Sequence, residues 1–266
     1  MSIHCPIAIR NLTQPEFDDR DRVVMRCSYA AQNELGRLCD ERVYENDLSL
    51  RLQAEGMPGV HTQVPVTVSH DGFEKIYRLD LVADEALYEL KTVADLVPAH
   101  DGQALHCAML AEVNHAKLLN FRPARVQGRL QFNVMMPEAR RQLQWATSGW
   151  RALSLKCNAL REHLRSILTD WGGFLDTRLY EEALIFFTGG EAQVLGRVPV
   201  FRDGHELGSH VLNQHEAGIC FVVTAFTDAR PQRPHYERLL RLTRMRGMQW
   251  FNLNRGTIEC VTIDGL

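Results

Sequence analysis

The sequence predicts an α/β fold, present as two tandem diverged copies of a sandwich in which helices pack on a mixed central sheet. Three observations carry that reading. Helical segments precede a set of short strands in each half of the chain. An ordered internal repeat links the halves at an offset of 132 to 136 residues. With 266 residues, 45% of them hydrophobic, the chain can bury two sizeable cores.

The elements follow in order. Residues 1–20 show little periodicity and read as a leader. Helices are expected around 21–34 and 40–55, where Tyr44, Leu48 and Leu52 recur at helical spacing with Glu41 at the margin of their stripe. Strands are expected around 61–69, 75–82 and 87–92, a helix around 100–115, and strands near 117–122 and 126–136. Residues 137–168 read as a linker with the helix that opens the second copy. Strands around 194–201, 209–214 and 218–226, a helix around 234–246, and strands near 248–253 and 257–263 complete it. The domains are thus 1–20, 21–136 and 137–266.

The repeat is explicit residue by residue. Gly36, Asp40, Arg42, Tyr44, Glu45 and Leu48 return as Gly172, Asp176, Arg178, Tyr180, Glu181 and Leu184. Val64-Pro65-Val66 returns as Val198-Pro199-Val200, Asp71-Gly72 as Asp203-Gly204, and Asn120 falls opposite Asn252.

The stretch that carries chemistry is Arg78 to Lys91, RLDLVADEALYELK. Asp80 lies in one apolar run, Ala83 to Ala86 form a turn, and Leu87 to Lys91 start a second run. In a hairpin, side chains alternate between faces, so Glu89 and Lys91 point the same way. Two carboxylates and an ammonium then meet on one surface, a set suited to a hard divalent cation and a reacting phosphate. The plainer reading is a solvated strand edge. Against it stand the apolar Leu87, Tyr88 and Leu90, and the presence of a lysine in a chain with four lysines and 26 arginines. Glu41, beside a buried stripe, needs an ion pair, a hydrogen bond or a metal.

Further motifs keep order with this one: Glu34-Leu35-Gly36, Glu41 to Glu45, Gln63 to Val66, Asp71-Gly72, Arg78 to Val82, His100, Gln103 and Leu118 to Phe121. Together with Asp80-x8-Glu89-Leu90-Lys91 they resemble the GxxExxY branch of the PD-(D/E)XK nuclease superfamily, from about Val23 to Asn133. Leu38, where that pattern has glycine, and Cys107, where an aromatic often follows the glutamine, depart from it. The resemblance implies a restriction-endonuclease-like α/β/α sandwich and metal-dependent hydrolysis of phosphodiester bonds in DNA or RNA. It implies Mg²⁺ or Mn²⁺ on Asp80 and Glu89, with Glu41 completing the acidic set and the Leu90 carbonyl as a further ligand. Lys91 would position water or neutralise the phosphate, Gln103 would orient a ligand or the substrate backbone, and His100 is a further candidate.

The second copy lacks this set. Glu41 aligns with Thr177, Asp80 with about Asn213, Glu89 with Phe221 and Lys91 with Val223, so it reads as a degenerate, inactive repeat. The alternative for the whole chain is a noncatalytic module that binds nucleic acid or protein and keeps the nuclease fold.

Composition narrows the setting. No apolar run approaches a membrane span of about 20 residues, and the N-terminus lacks a signal-peptide pattern. Seven cysteines without a C-x-x-C pair read as reduced thiols of a cytoplasmic protein. The net charge of −3 gives no overall pull toward nucleic acid, leaving local clusters: Arg122, Arg125 and Arg129, and Arg238, Arg241, Arg244 and Arg246 on the expected helix, whose plainer reading is a solvated helix face. The internal pairing of copies predicts a pseudo-dimer within one chain, as a monomer or weak homo-oligomer.

Overall fold

Thr13 and Glu16 start the first helix earlier than periodicity predicts. The backbone N–H and the hydroxyl of Thr13 both donate to the Glu16 carboxylate at 2.8 Å, and Pro15 fits the first turn, where its missing N–H costs nothing. In the computed structural model, which describes residues 2–265, helix α1 therefore runs Gln14–Leu35, into what reads by sequence as a leader. Gly36, at φ +75°, ends it. Helix α2 follows at Glu41–Ala54, with Tyr44, Leu48 and Leu52 fully buried as their spacing predicts.

A short strand β1 (Ile3–His4) pairs with β2 (Val60–His70), and β3 (Phe73–Ala83), β4 (Ala86–Lys91), helix α3 (Pro98–Leu110), β5 (His115–Asn120) and β6 (Gln127–Phe132) follow. Asp84 and Glu85 both adopt positive φ, as a two-residue hairpin turn between right-twisted strands requires. The strands lie in sequence order, β1 to β6, with β4 and β5 parallel. Tyr88 and Leu90 of β4 join the core under α1 and α2 with Phe17, Val24, Tyr44 and Leu48. Alternation turns Glu89 and Lys91 to the other face, where α3 lies.

The second half repeats this series after a short α4 (Pro137–Arg140) and a strand β7 (Gln144–Gly149). Helices α5 (Leu155–Trp171), α6 (Thr177–Phe187) and α7 (Glu191–Val194) precede β8 (Leu195–Arg202), β9 (His205–Glu216) and β10 (Ile219–Thr224). Helix α8 (Arg233–Thr243), β11 (Gly247–Asn254) and β12 (Thr257–Asp264) close the chain's described part. The sheet order is β7-β12-β11-β10-β9-β8, and β10 and β11 are parallel as β4 and β5 are. The chain thus has two six-stranded mixed sheets and eight α-helices among the described residues. By contacts it forms two compact units. One holds residues up to Ser69 with Glu74–Pro137, the other His70–Phe73 with Glu138 onward.

The same anchors recur in both units. The Tyr44 hydroxyl donates to the Gly36 carbonyl at 2.7 Å, and the Tyr180 hydroxyl to the Gly172 carbonyl at 2.8 Å. The Asn120 amide bonds both backbone groups of Val93, and the Asn252 amide both of Phe226.

Two expectations change. Residues 144–149, expected as linker, form edge strand β7 parallel to β12. Five of its six residues are exposed, so no alternation marks it in the sequence. Helix α8 ends at Thr243 because Arg244 turns left-handed at φ +56°, which leaves Arg244 and Arg246 beyond the helix.

Candidate active site

The site forms where β3, β4, α2 and α3 meet. Glu89 and Lys91, two residues apart on β4, are 2% and 8% exposed, so the strand-edge reading fails on burial. The Lys91 ammonium donates to Glu89 Oε1 and to the Leu90 carbonyl, each at 2.8 Å. Glu41 Oε2, from the first turn of α2, lies 3.9 Å from the same ammonium. From α3, the Gln103 side-chain amide donates to Glu89 Oε1, and the Cys107 thiol reaches Oε2 at 3.6 Å. Gln103 and Cys107 are four apart, so one helix face delivers both.

Asp80 approaches from β3. Its Oδ2 accepts the Leu90 backbone N–H at 2.9 Å and its Oδ1 the Gln63 amide at 3.2 Å. Gln63 also donates to Glu45 Oε2 at 2.6 Å, and Arg42 pairs with Glu45 Oε1 at 2.5 Å. Gln63 itself sits at φ +51° within β2, a left-handed conformation uncommon for residues other than glycine. Glu45 and Gln63 are thus members of the site that charge patterning alone had not singled out. Glu45 was readable as the residue one turn beyond Glu41. No local signal marks the kink at Gln63.

Electrostatics follow from this crowding. Burial, with the nearby Asp80 adding to it, pushes the Glu89 carboxyl up to about 7 against the opposing pull of Lys91. Burial also raises Glu41 and Glu45, opposed by Lys91 and by the Gln63 amide respectively. For Lys91 burial favours the neutral amine, but Glu89, then Glu41 and Asp80, outweigh it and the ammonium is held. Burial and Glu89 keep the Cys107 thiol protonated.

Asp80, Glu89, Lys91, Glu41 and Gln103 therefore come together. His100 does not: its Nδ1 accepts the Val97 N–H at 3.1 Å in a local cap of α3. Leu38 is 81% exposed between α1 and α2, so the missing glycine disturbs no packing. Among the described residues no three His, Cys, Asp or Glu side chains converge as a formed metal centre. The donors nevertheless suit a hard divalent cation in kind, being carboxylate and carbonyl oxygens. Burial, and after it the charge of Asp80, raises Glu89, and a bound cation would offset both.

At the corresponding place in the second unit the ladder corrects the sequence alignment by one residue. Lys91 pairs with Asn120 and Thr224 with Asn252. Thr224 thus takes the position of Lys91, and Val222, not Phe221, that of Glu89. The Trp250 indole donates to the Thr224 hydroxyl at 2.8 Å, and the Tyr236 ring packs on Trp250. Glu181, matching Glu45, accepts the Asn213 amide at 2.6 Å.

Residues 18–131, less than half of the chain, match the family model of the PD-(D/E)XK nuclease superfamily. That segment includes every residue of the cluster around Glu89 and Lys91. No curated protein and no solved structure matches the chain.

Proposed function

We propose that the N-terminal copy, residues 21–136, is a divalent-metal-dependent nuclease of the GxxExxY branch. It would hydrolyse phosphodiester bonds in DNA or RNA, and the C-terminal copy, residues 137–266, would be an inactive duplicate. The observation that carries this reading is the buried pairing of Glu89 with Lys91, faced by Asp80 and held by Gln103. Ion pairs of this kind are costly to bury and are weak stabilisers, so a role beyond packing accounts for one better.

Asp80, Glu89, the Leu90 carbonyl and Glu41 are the proposed ligands of Mg²⁺ or Mn²⁺. The cation, when bound, supplies Lewis acidity at the phosphate and a more acidic water. Asp80 is fixed by the Leu90 N–H and Gln63, so its orientation is set before substrate arrives. Lys91 holds a positive charge beside the oxygens that gain charge as the phosphate becomes pentavalent. Gln103 fixes the Glu89 oxygen by its amide and acts as a positioning residue. Free thiols at all seven cysteines accord with the cytoplasmic setting proposed for it. No helix among the described residues is long and apolar enough to cross a membrane.

The test is cleavage of plasmid, linear duplex, single-stranded DNA and RNA by wild type and Lys91→Ala with Mg²⁺ or Mn²⁺. The expected result is cleavage that chelator abolishes and that Lys91→Ala reduces by at least about a hundredfold, the scale of losing one transition-state charge partner. Equal cleavage by both proteins, or none, leaves the noncatalytic binding module instead.

A further inference from the structure

The first unit carries 18 Asp and Glu against 14 Lys and Arg, whereas the second, which includes His70–Phe73, carries 16 Lys and Arg against 15 Asp and Glu. The unit with the candidate site is acidic as a whole, which opposes the approach of a polyphosphate chain. Positive charge lies in the other unit, and on one helix it is concentrated. Leu240 and Thr243 bury the inner side of α8, and the outer side presents Arg233, Arg238 and Arg241.

These arginines line a polar cavity of about 430 Å³ with Glu237, Ile263 and Asp264. Its two carboxylates are already matched. Arg233 pairs with Glu237 at 2.9 Å, and Arg151 pairs with Asp264. Arg238 and Arg241, three residues apart and both exposed, have no ion pair among the described residues. Two unpaired guanidinium groups on one helix face, over a cavity whose acids are neutralised, suit a row of phosphates. Arginine's planar fork binds phosphate oxygens two at a time.

We infer that the α8 face of the second unit binds the phosphodiester backbone of nucleic acid. The degenerate copy thereby supplies backbone affinity that the acidic first unit lacks. The inference rests on the proposed function only for the chemical class of the partner. Recognition is of phosphate and not of bases, since Tyr236 is packed on Trp250 and no exposed aromatic residue stands in the cavity lining.

The experiment measures binding of a short labelled single strand and of a duplex in chelator, which prevents cutting, across a range of salt. Wild type is compared with Arg238→Glu/Arg241→Glu. The double variant is expected to bind at least about tenfold more weakly. Its slope of log affinity against log salt should fall by about 1.4 for the single strand or about 1.8 for the duplex, the loss of two phosphate contacts. Unchanged thermal unfolding of this exposed pair checks that the fold persists. An unaltered affinity and slope, a wild type that binds neither strand, or equally tight binding of polyglutamate would overturn the inference. A protein that binds through α8 but cuts nothing leaves this surface standing and removes the nuclease reading.

Discussion

Glu89 is the residue where burial and charge conflict most. Its carboxyl is raised to about 7 in the folded protein, from an ordinary value near 4.5. Between these values the folded state binds a proton that the unfolded chain releases, so the group's contribution to stability is full below about pH 4.5 and is lost as pH rises through about 7. Glu89→Gln removes that dependence. Relative to wild type, the variant should therefore gain stability between pH 5 and pH 8, by up to about 3 kcal/mol, on top of a constant cost for the lost Glu89–Lys91 ion pair. Urea unfolding of both proteins at several pH values reads the difference. A difference that stays flat across this range would mean that Glu89 is ionised throughout and that its burial is better compensated than its partners indicate.

At the scale of elements, the end of the parallel strand pair is tied by one asparagine in each unit. Asn120 is fully buried; its carbonyl oxygen accepts the Val93 N–H and its amide donates to the Val93 carbonyl at 2.8 Å. Asn252 does the same for Phe226 at 2.7 and 2.9 Å. Removing either leaves half-buried backbone groups of Val93 or Phe226 without these partners, at about 1–3 kcal/mol each. Asn120→Ala and Asn252→Ala should thus each cost about 3 kcal/mol in denaturant unfolding, and a loss below about 1 kcal/mol at either position would show that water replaces the amide. This recurrence was legible in the sequence as a matched pair of residues, as were most strands and the shared face of Glu89 and Lys91. What stayed illegible lies where alternation breaks. The bulge between Ile219 and Cys220 shifts β9 against β10, and the offset of 132 that relates Asp71 to Asp203 and Asn120 to Asn252, carried through this segment, assigns Phe221 to the place that Val222 holds. Strand β7 has no apolar face to reveal it. The left-handed Gln63 lies within a run that otherwise reads as plain strand, so no local pattern encodes its reach to both Glu45 and Asp80.

For the molecule as a whole, the two units keep the same scaffold and differ in what fills one position. In the first, Asp80, Glu89 and Lys91 surround it. In the second, Val222, Thr224, Trp250 and Tyr236 do, and Glu181 remains as a carboxylate held by Asn213. A lone carboxylate without a second oxygen donor of like charge binds Mg²⁺ or Mn²⁺ poorly, because ligand number and charge set the affinity of hard cations. Calorimetric titration of the full chain with Mn²⁺ should therefore show saturable binding that Asp80→Asn weakens at least about tenfold and that Glu181→Gln leaves unchanged. Because a cation must displace the proton from Glu89, the wild-type affinity should fall as pH drops below about 7, approaching tenfold per unit, and level off above it. Equal loss in both variants would assign a metal to each unit and end the description of the second as inactive. Binding indifferent to Asp80→Asn would remove the metal from the first.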